Sequence, residues 1–559
     1  MCHTADGDSA RRTTMNALPA EVEQGNVEYK LQLLHPTADR FQHLVTQLNW
    51  RLNEGHGYAF YELGVADDGM VVGMPPHDLE TSLNTLCRMC QVLSAEMQVH
   101  TVRPGTSDTY KAARVAISRI AETHAKKQVR VSVIGDFDSG KSTLIGVLTR
   151  GCLDDGNGLA RMQVLRHLHE IEDGRTSSIS EQILGVTNEG KICKFSSLES
   201  RNASSIDAQS TKLIMFSDLA GHQRYLKITA SGLTSQFPDY AMLVVDATTG
   251  VQPMTLEHLR IVLGLGIRVF VVVTKVDLAA HSRIEQTVDG IHSTLSMLHQ
   301  PPPRVIATAD DLAAYQVLQD AVPIPVFHVS NVTGTNMALL QQFLASIHPT
   351  REWTSVRHCS CEFHISGHFP SDDVGTIVTG LVQSGTVHVG ESLLLGPTNS
   401  GAFYGVHVKS IEVQRTPAKC VFAGQTAALL VTSLDHDDIE MASMRRGMML
   451  VHPNLSPIAT RQFDAQVHVL NASMLLKENI QGVVHAGPIQ QLAKVVAVFD
   501  EGDGGDQRQV RLRFEFIHSP EYMRPDWPLV FREANTHAVG KVLHAVHALN
   551  SDLVVASLA

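Results

Sequence analysis

The sequence predicts a multidomain chain, with an α+β domain first, a parallel α/β domain in the middle and two β-barrels after it. Three observations predict this. The chain has 559 residues, too many for one hydrophobic core. Between about 128 and 350, buried apolar runs alternate with amphipathic helical segments, the rhythm of a parallel sheet. Beyond about 355 the helical spacing gives way to short alternating strands and turns.

Residues 1–24 are polar and patternless and read as a disordered tail. A strand follows at 29–34, then a helix at 38–53 with Phe41, Leu44, Val45, Leu48 and Leu52 at helical spacing. Segments 58–65 and 70–74 flank Ala-Asp-Asp-Gly, a hairpin signal; a helix over 77–97 and a strand at 98–102 complete the set. The order β-α-β-β-α-β makes residues 25–104 a ferredoxin-like domain. A helical connector spans 105–127 and leads to the α/β domain, 128–350, whose strands are expected at 130–134, 213–217, 240–246, 269–274 and 325–330. The last two domains are β-barrels at 355–453 and 459–559, divided near Pro453 and Pro457.

Composition excludes several classes. Apolar residues make up 43% and charged residues 18%, as in ordinary globular proteins, and no apolar run is long enough to span a bilayer. No membrane association is expected, and the N-terminus lacks the apolar stretch of a secretory signal. The eight cysteines are scattered without a disulfide-framework spacing, as expected of a cytoplasmic protein. Cys87 and Cys90 sit at helical core spacing, and Cys359 and Cys361 lack a second ligand pair at zinc-finger distance, so neither pair reads as a metal site. A net charge of −12 argues against a dedicated non-specific nucleic-acid binder.

The chemistry is concentrated in the middle domain. Gly135-Asp136-Phe137-Asp138-Ser139-Gly140-Lys141-Ser142-Thr143 fits G-x-x-x-x-G-K-[ST], after one strand and before one helix. Such a loop wraps phosphates with backbone N–H groups, and the helix N-terminus behind it favours negative charge. Lys141 is the point charge for the β- and γ-phosphates, and Ser142 offers its hydroxyl to Mg²⁺. Asp218-Leu-Ala-Gly221 ends the next strand, where Asp218 can hold the metal and the Gly221 N–H can face the γ-phosphate. Thr274-Lys275-Val-Asp277 ends another, with Asp277 placed to accept from guanine N1–H and its 2-amino group. Adenine lacks both donors and would leave the carboxylate unpaired. Ser330 and Asn331 follow the last strand and can present backbone N–H to guanine O6. Together these motifs predict a GTP/GDP site with magnesium. Thr176, in Asp-Gly-Arg-Thr-Ser-Ser between the loop and Asp218, is the switch hydroxyl that completes the metal shell while γ-phosphate is present. His222, directly after Gly221, stands where an attacking water must be oriented.

These residues resemble those of the elongation factor Tu / eukaryotic elongation factor 1A superfamily, in Asp218-Leu-Ala-Gly-His222, Tyr225, Leu243-Val-Val-Asp-Ala247, Thr274-Lys-Val-Asp277 and the two barrels. Within it the chain is similar to the GTP-binding protein 1 and 2 family, in Gly25-Asn-Val-Glu-Tyr-Lys-Leu, Ala38-Asp-Arg-Phe, Arg166-His-Leu-His-Glu through Ser178, and Ser330-Asn-Val-Thr-Gly334. The resemblance covers residue 25 to the end. It implies that Asp138 helps neutralise charge around the transferring phosphate, beside Lys141 and His222. It implies further that the barrels, through Gly375–Gly380, Ala423–Gln425, Arg445–Gly447 and Phe531–Glu533, cradle the acceptor end of aminoacyl-tRNA.

The chain departs from the superfamily in four places: Asp136-Phe137 replaces His-Val, Leu219-Ala220 replaces Cys-Pro, Thr274 replaces Asn and Ala534 replaces Gly. The expectation is a monomeric, cytoplasmic translational GTPase that engages aminoacyl-tRNA and the ribosome in translation or ribosome rescue. The alternative is a GTP-dependent adaptor in mRNA surveillance that works through mRNA-decay proteins. A sulfate-adenylylating GTPase shares the core, but the N-terminal and switch-segment matches argue against it.

Overall fold

The computed structural model describes residues 18, 25–55, 58–93, 95–107, 109–119, 127–165, 170, 176, 179–193, 203–318, 323–357, 359–371, 375–434, 444–445, 447–470, 477–499, 509–532 and 536–546. It divides into two compact units, Met1–Ala125 and Lys126–Ala559.

The N-terminal unit runs β1 (Val27–Lys30), helix Ala38–Glu54, β2 (Tyr58–Leu63), helix Pro76–Val92, β3 (Ala95–Pro104) and β4 (Lys111–Arg119). Thr37 caps the first helix, its hydroxyl accepting from the Arg40 N–H. Leu44, Leu48 and Leu52 of this helix and Leu86 and Met89 of the second bury their apolar stripes against Tyr61 and Val115 of the sheet. Cys90 lies in the same core, its thiol pushed up to about 12 by burial, which fits core packing. Of the first 24 residues only Leu18 is described; its N–H donates to Gly69 O at 2.8 Å.

The connectivity departs from expectation. The sheet order is β1-β2-β4-β3, with β1 parallel to β2 and the other pairs antiparallel. The unit is therefore β-α-β-α-β-β, not β-α-β-β-α-β. The helical connector expected over 105–127 is replaced by β4, which pairs with β2 on one side and β3 on the other. Its alanines favour helix in isolation. Alternate residues Ala113, Val115 and Ile117 nevertheless share one buried face, and small Ala112 and Ala116 suit the other, so tertiary pairing overrides propensity. The predicted second arm of the 58–74 hairpin contributes only isolated bridges, Val65 to Val71 and Met74 to Lys111.

In the second unit the sheet is built from β5 (Lys127–Gly135), β6 (Ser180–Val186), β7 (Lys212–Asp218), β8 (Tyr240–Asp246), β9 (Arg268–Thr274), β10 (Arg304–Val305) and β11 (Pro325–His328). Its order is β10-β11-β9-β8-β5-β7-β6, and only the β6–β7 pair is antiparallel. Helices cover both faces, so the central strands are buried throughout, as a parallel sheet requires. The motif-bearing loops follow the C-terminal ends of β5, β7, β9 and β11, which gathers them along one edge of the sheet.

The first barrel comprises Glu362–Ser371, Gly375–Ser384, Ser392–Gly396, Tyr404–Val413, Thr426–Ser433 and Met449–Val451, closed by pairing of the third strand with the fourth. The second is a closed six-stranded barrel from Gln462–Val469 to Thr536–Val546, filled by Phe463, Phe514, Phe516 and Phe531. Both pack on the α/β domain. Arg130, at the heart of β5, donates to Gly424 O of the first barrel at 2.6 Å and lies over the Trp353 ring. Gly264, ending the helix Pro253–Gly264, meets Val539 of the second barrel so closely that a Cβ there would lie 2.0 Å from Val539 Cγ2.

Several residues assigned to an RNA-cradling surface are instead structural. Arg445 pairs with buried Glu521 at 2.6 Å between the barrels, and Phe531 is a core residue. Gly424 packs on Trp353, Gln425 Oε1 accepts from the Phe422 N–H, and a Cβ on Gly380 would strike His364 O. Arg446, Glu533 and Ala534 lie outside the described residues. Among the described residues no helix is long and apolar enough to cross a membrane.

Candidate functional site

The phosphate-binding loop is shaped by backbone that only glycine accommodates. Gly135 ends β5 at φ 143°, and a Cβ there would lie 2.2 Å from Val244 O. Gly140, at φ 85°, is the N-cap of the helix Lys141–Arg150, which turns the helix's unpaired N–H groups toward the loop interior. Asp138 also takes a left-handed conformation, φ 57°.

Nine of the predicted residues line one cleft: Phe137, Asp138, Gly140, Lys141, Ser142, Thr143, Thr176, Gly221 and His222. Lys141 is buried, and its ammonium donates to Asp136 O at 2.6 Å. Burial lowers its pKa against the pull of Asp218, Asp136 and Asp138. A Cβ on Gly221 would lie 2.4 Å from Lys141 Nζ and 2.7 Å from Gly135 O, so only glycine fits there.

Three hard oxygen donors converge beside this lysine. Ser142 Oγ donates to Asp218 Oδ2 at 2.6 Å and lies 3.0 Å from Thr176 Oγ1, which is 3.4 Å from the same carboxylate oxygen. Asp218 is fully buried, and its Oδ1 has no hydrogen-bond partner among the described residues. Burial raises its pKa to about 6, while Ser142 and Lys141 oppose the rise. A buried, incompletely paired carboxylate beside two hydroxyls fits magnesium. The rest of the switch segment, 171–175 and 177–178, lies outside the described residues.

His222 is held by its own backbone. It caps the short helical turn Gln223–Tyr225, its Nδ1 accepting from the Arg224 N–H at 3.1 Å. A neutral ring that accepts at Nδ1 carries its proton on Nε2, so Nε2 is the donor. Phe137, 42% exposed, meets this ring edge to face at 6.3 Å, and Tyr225 does so at 6.3 Å from elsewhere. Phe137, bulkier than the valine of the superfamily, is therefore in contact with the histidine.

The base-recognition residues are tied to the loop. Thr274 Oγ1 donates to Ser139 O at 2.7 Å, so threonine still braces the loop where the superfamily has asparagine. Lys275 bridges Asp246 at 2.9 Å and Asp138 at 3.4 Å. Asp138 is thereby held on the base side of the loop. Asp277 is exposed in the turn beyond Lys275. Ser330 is buried, its hydroxyl accepting from the Val332 and Thr333 amides while its own N–H goes to Thr335 O. Asn331 lies against the loop, 3.5 Å from where a Gly140 Cβ would be, and its carbonyl accepts from the Asp154 N–H at 2.9 Å.

One cleft residue escaped the sequence reading. Arg161, on the short helix Leu159–Met162, lines the cleft with Lys141 and His222. Asp-Asp-Gly-Asn-Gly before it signals a turn, but nothing in the spacing shows where that turn sends the arginine.

Comparison with known proteins decides the family. Residues 126–350 match the elongation factor Tu GTP binding domain, and 375–451 match elongation factor Tu domain 2. The mouse (Mus musculus) GTP-binding protein 2 is 39% identical, over 94% of this chain and 88% of its own length. GTP-binding protein 1 of Xenopus laevis is 36% identical, over 94% of this chain and 80% of its own. This chain belongs to the GTP-binding protein 1/2 family. Like that family it is a GTP-binding, translation-type GTPase, with the GTPase domain and two barrels. Solved structures agree in fold. The Saccharomyces cerevisiae Ski7 GTPase-like domain bound to GTP superposes with a TM-score of 0.58 at 13% identity, covering 75% of this chain and 98% of that one. A bacterial selenocysteine-specific elongation factor superposes at 0.54 and 19% identity, covering 76% and 59%.

Proposed function

We propose that this GTP-binding protein 1/2 family member hydrolyses GTP in the cytoplasm and uses the cycle to engage aminoacyl-tRNA and the ribosome. The observation that supports hydrolysis most is His222, with Nε2–H as donor, lining the same cleft as Lys141, Ser142 and Thr176, whose hydroxyls lie against Asp218. Nε2 orients the attacking water, and Lys141 and the Gly221 N–H hold the γ-phosphate oxygens. Ser142, Thr176 and Asp218 would hold magnesium, which when bound would supply positive charge to the phosphates. Thr274 and Lys275 brace the loop, Asp277 reads the guanine edge, and Asn331 offers its N–H to O6, since that of Ser330 is already used. Asp138, paired with Lys275, ties the loop to the end of β9.

The same site can signal to the barrels. The helix Leu226–Ser235 follows His222, and Phe237 just beyond it packs in the core of the second barrel, 5.4 Å from the His364 ring of the first. A shift of Gly221 and His222 on phosphate loss would move this helix against both barrels, loosening the compact state.

Two measurements test the reading. Purified protein with GTP and magnesium releases phosphate, and EDTA stops it; a protein that binds GTP without release is not a hydrolase. Protection of the aminoacyl ester from spontaneous hydrolysis, with GTP and not with GDP, tests the RNA partner. Equal behaviour of charged and uncharged tRNA would favour the adaptor reading, in which the barrels bind mRNA-decay proteins.

A further inference from the structure

Arg161 is a cation on the wall of the phosphate cleft that neither the phosphate-binding loop nor the base-recognition motifs account for. It is half-buried, and among the described residues no carboxylate pairs with it. The turn before it is built to aim it. Asp154 accepts from the N–H groups of Gly156, Gly158 and Ala160 at 3.1, 3.3 and 2.9 Å, closing residues 154–160 into a rigid loop. Asp155 Oδ1 accepts from the Asn157 and Leu159 amides at 2.8 and 3.2 Å.

Two glycines let this loop sit where it does. A Cβ on Gly146 would lie 2.2 Å from Ala160 O, so the Leu159–Met162 turn packs directly on the helix that follows the phosphate-binding loop. Gly158, at φ 95°, lies beneath the arginine itself, and a Cβ there would be 2.5 Å from Arg161 Nε. The side chain is folded back over its own turn, toward the cleft. The Asp154 N–H to Asn331 O bond ties the same loop to the base-recognition side, so Arg161 is fixed relative to both ends of a nucleotide.

The geometry points to Arg161 as an arginine supplied in cis to the γ-phosphate, stabilising the charge that develops on the transferred phosphoryl group. A planar guanidinium donates two parallel N–H bonds to phosphate oxygens, which a lysine cannot reproduce. Lys141 approaches the phosphates from the floor of the loop, where its ammonium lies 2.6 Å from Asp136 O, so the wall contributes a second, independent cation. This inference rests on the hydrolytic reading of the cleft.

The test compares wild type, Arg161→Ala and Arg161→Lys in two assays. In single-turnover GTP hydrolysis, Arg161→Ala slows the chemical step by about 10³-fold, the lower end of what an arginine finger is worth. GTP affinity, which also reports folding, changes less than about threefold because the contact forms in the transition state. Capture of GDP with aluminium fluoride, which needs no turnover, is lost in Arg161→Ala and partly retained in Arg161→Lys. Unchanged hydrolysis and capture in Arg161→Ala would overturn the assignment while leaving the hydrolytic reading intact, and so would a loss of GTP affinity equal to the loss of rate. If wild type releases no phosphate yet captures aluminium fluoride through Arg161, the hydrolytic reading fails and the arginine contact stands. If wild type captures none, the arginine contact fails as well.

Discussion

Phe137 and His222 share an edge-to-face contact at 6.3 Å, and that contact restrains the ring proposed to orient the water. An aromatic pair of this kind is worth about 0.5–1.5 kcal/mol, so Phe137→Ala raises the intrinsic hydrolysis rate about 2- to 10-fold if the contact must break on the way to the transition state. Phosphate release under single-turnover conditions reads this directly, and a slower variant would show that Phe137 supports His222 instead of gating it. At the base end, Asp277→Asn exchanges a pure acceptor for a group that can also donate, so preference moves from GTP toward XTP. Competition binding checks it; undiminished guanine preference would remove Asp277 from the base contact. Both residues were legible in the sequence because motif spacing specifies them. Arg161 was not, since its place depends on how Asp154 and Gly158 fold a turn back on the neighbouring helix.

Elements carry the next layer. The strands of the GTPase domain were readable because a parallel sheet buried on both faces leaves uninterrupted apolar runs. Strand Lys111–Arg119 was not readable, because its alanines score as helix and only its position between two strands makes it extended. The same dependence on neighbours explains Phe531 and Arg445, whose motif resemblance pointed outward while the barrels turned them inward. The helix Pro253–Gly264 makes a prediction at this scale. Gly264 touches Val539, and any larger residue must push the second barrel away, since a β-branched side chain has little freedom to yield. Gly264→Leu therefore lowers the melting temperature and raises the protease sensitivity of the second unit, with nucleotide affinity nearly preserved. Unchanged melting would mean that this contact contributes nothing to docking.

Across the second unit, buried histidines give stability a pH dependence. Among the described residues neither ring nitrogen of His364 or His485 has a hydrogen-bond partner, and burial lowers both pKa values to about 3. Between pH 6.5 and about 3 the unfolded chain binds these protons and the folded chain does not, so stability rises with pH through that window and is fully present above it. Acidification from pH 7 to 5 costs about 2 kcal/mol for each such ring. Glu391, raised to about 8 by burial, works the other way and erodes stability as pH climbs from the ordinary carboxylate range to 8. Chemical denaturation at pH 5 and 7 measures the balance, and His364→Phe flattens the acid limb. His364 sits 4.9 Å from Trp527 and 5.4 Å from Phe237, where the GTPase domain and both barrels meet, so the acid limb reports on that junction.

Hydrolysis as proposed depends on His222 orienting the attacking water. Single-turnover hydrolysis of GTP by His222→Ala, with affinity for a fluorescent GTP analogue measured on the same preparation, tests it most directly. The expected affinity is within about threefold of wild type and the expected hydrolysis rate lower by at least about 10²-fold, since orientation acts on the transition state and not on ground-state binding. Undiminished turnover in that variant would remove His222 from the chemistry.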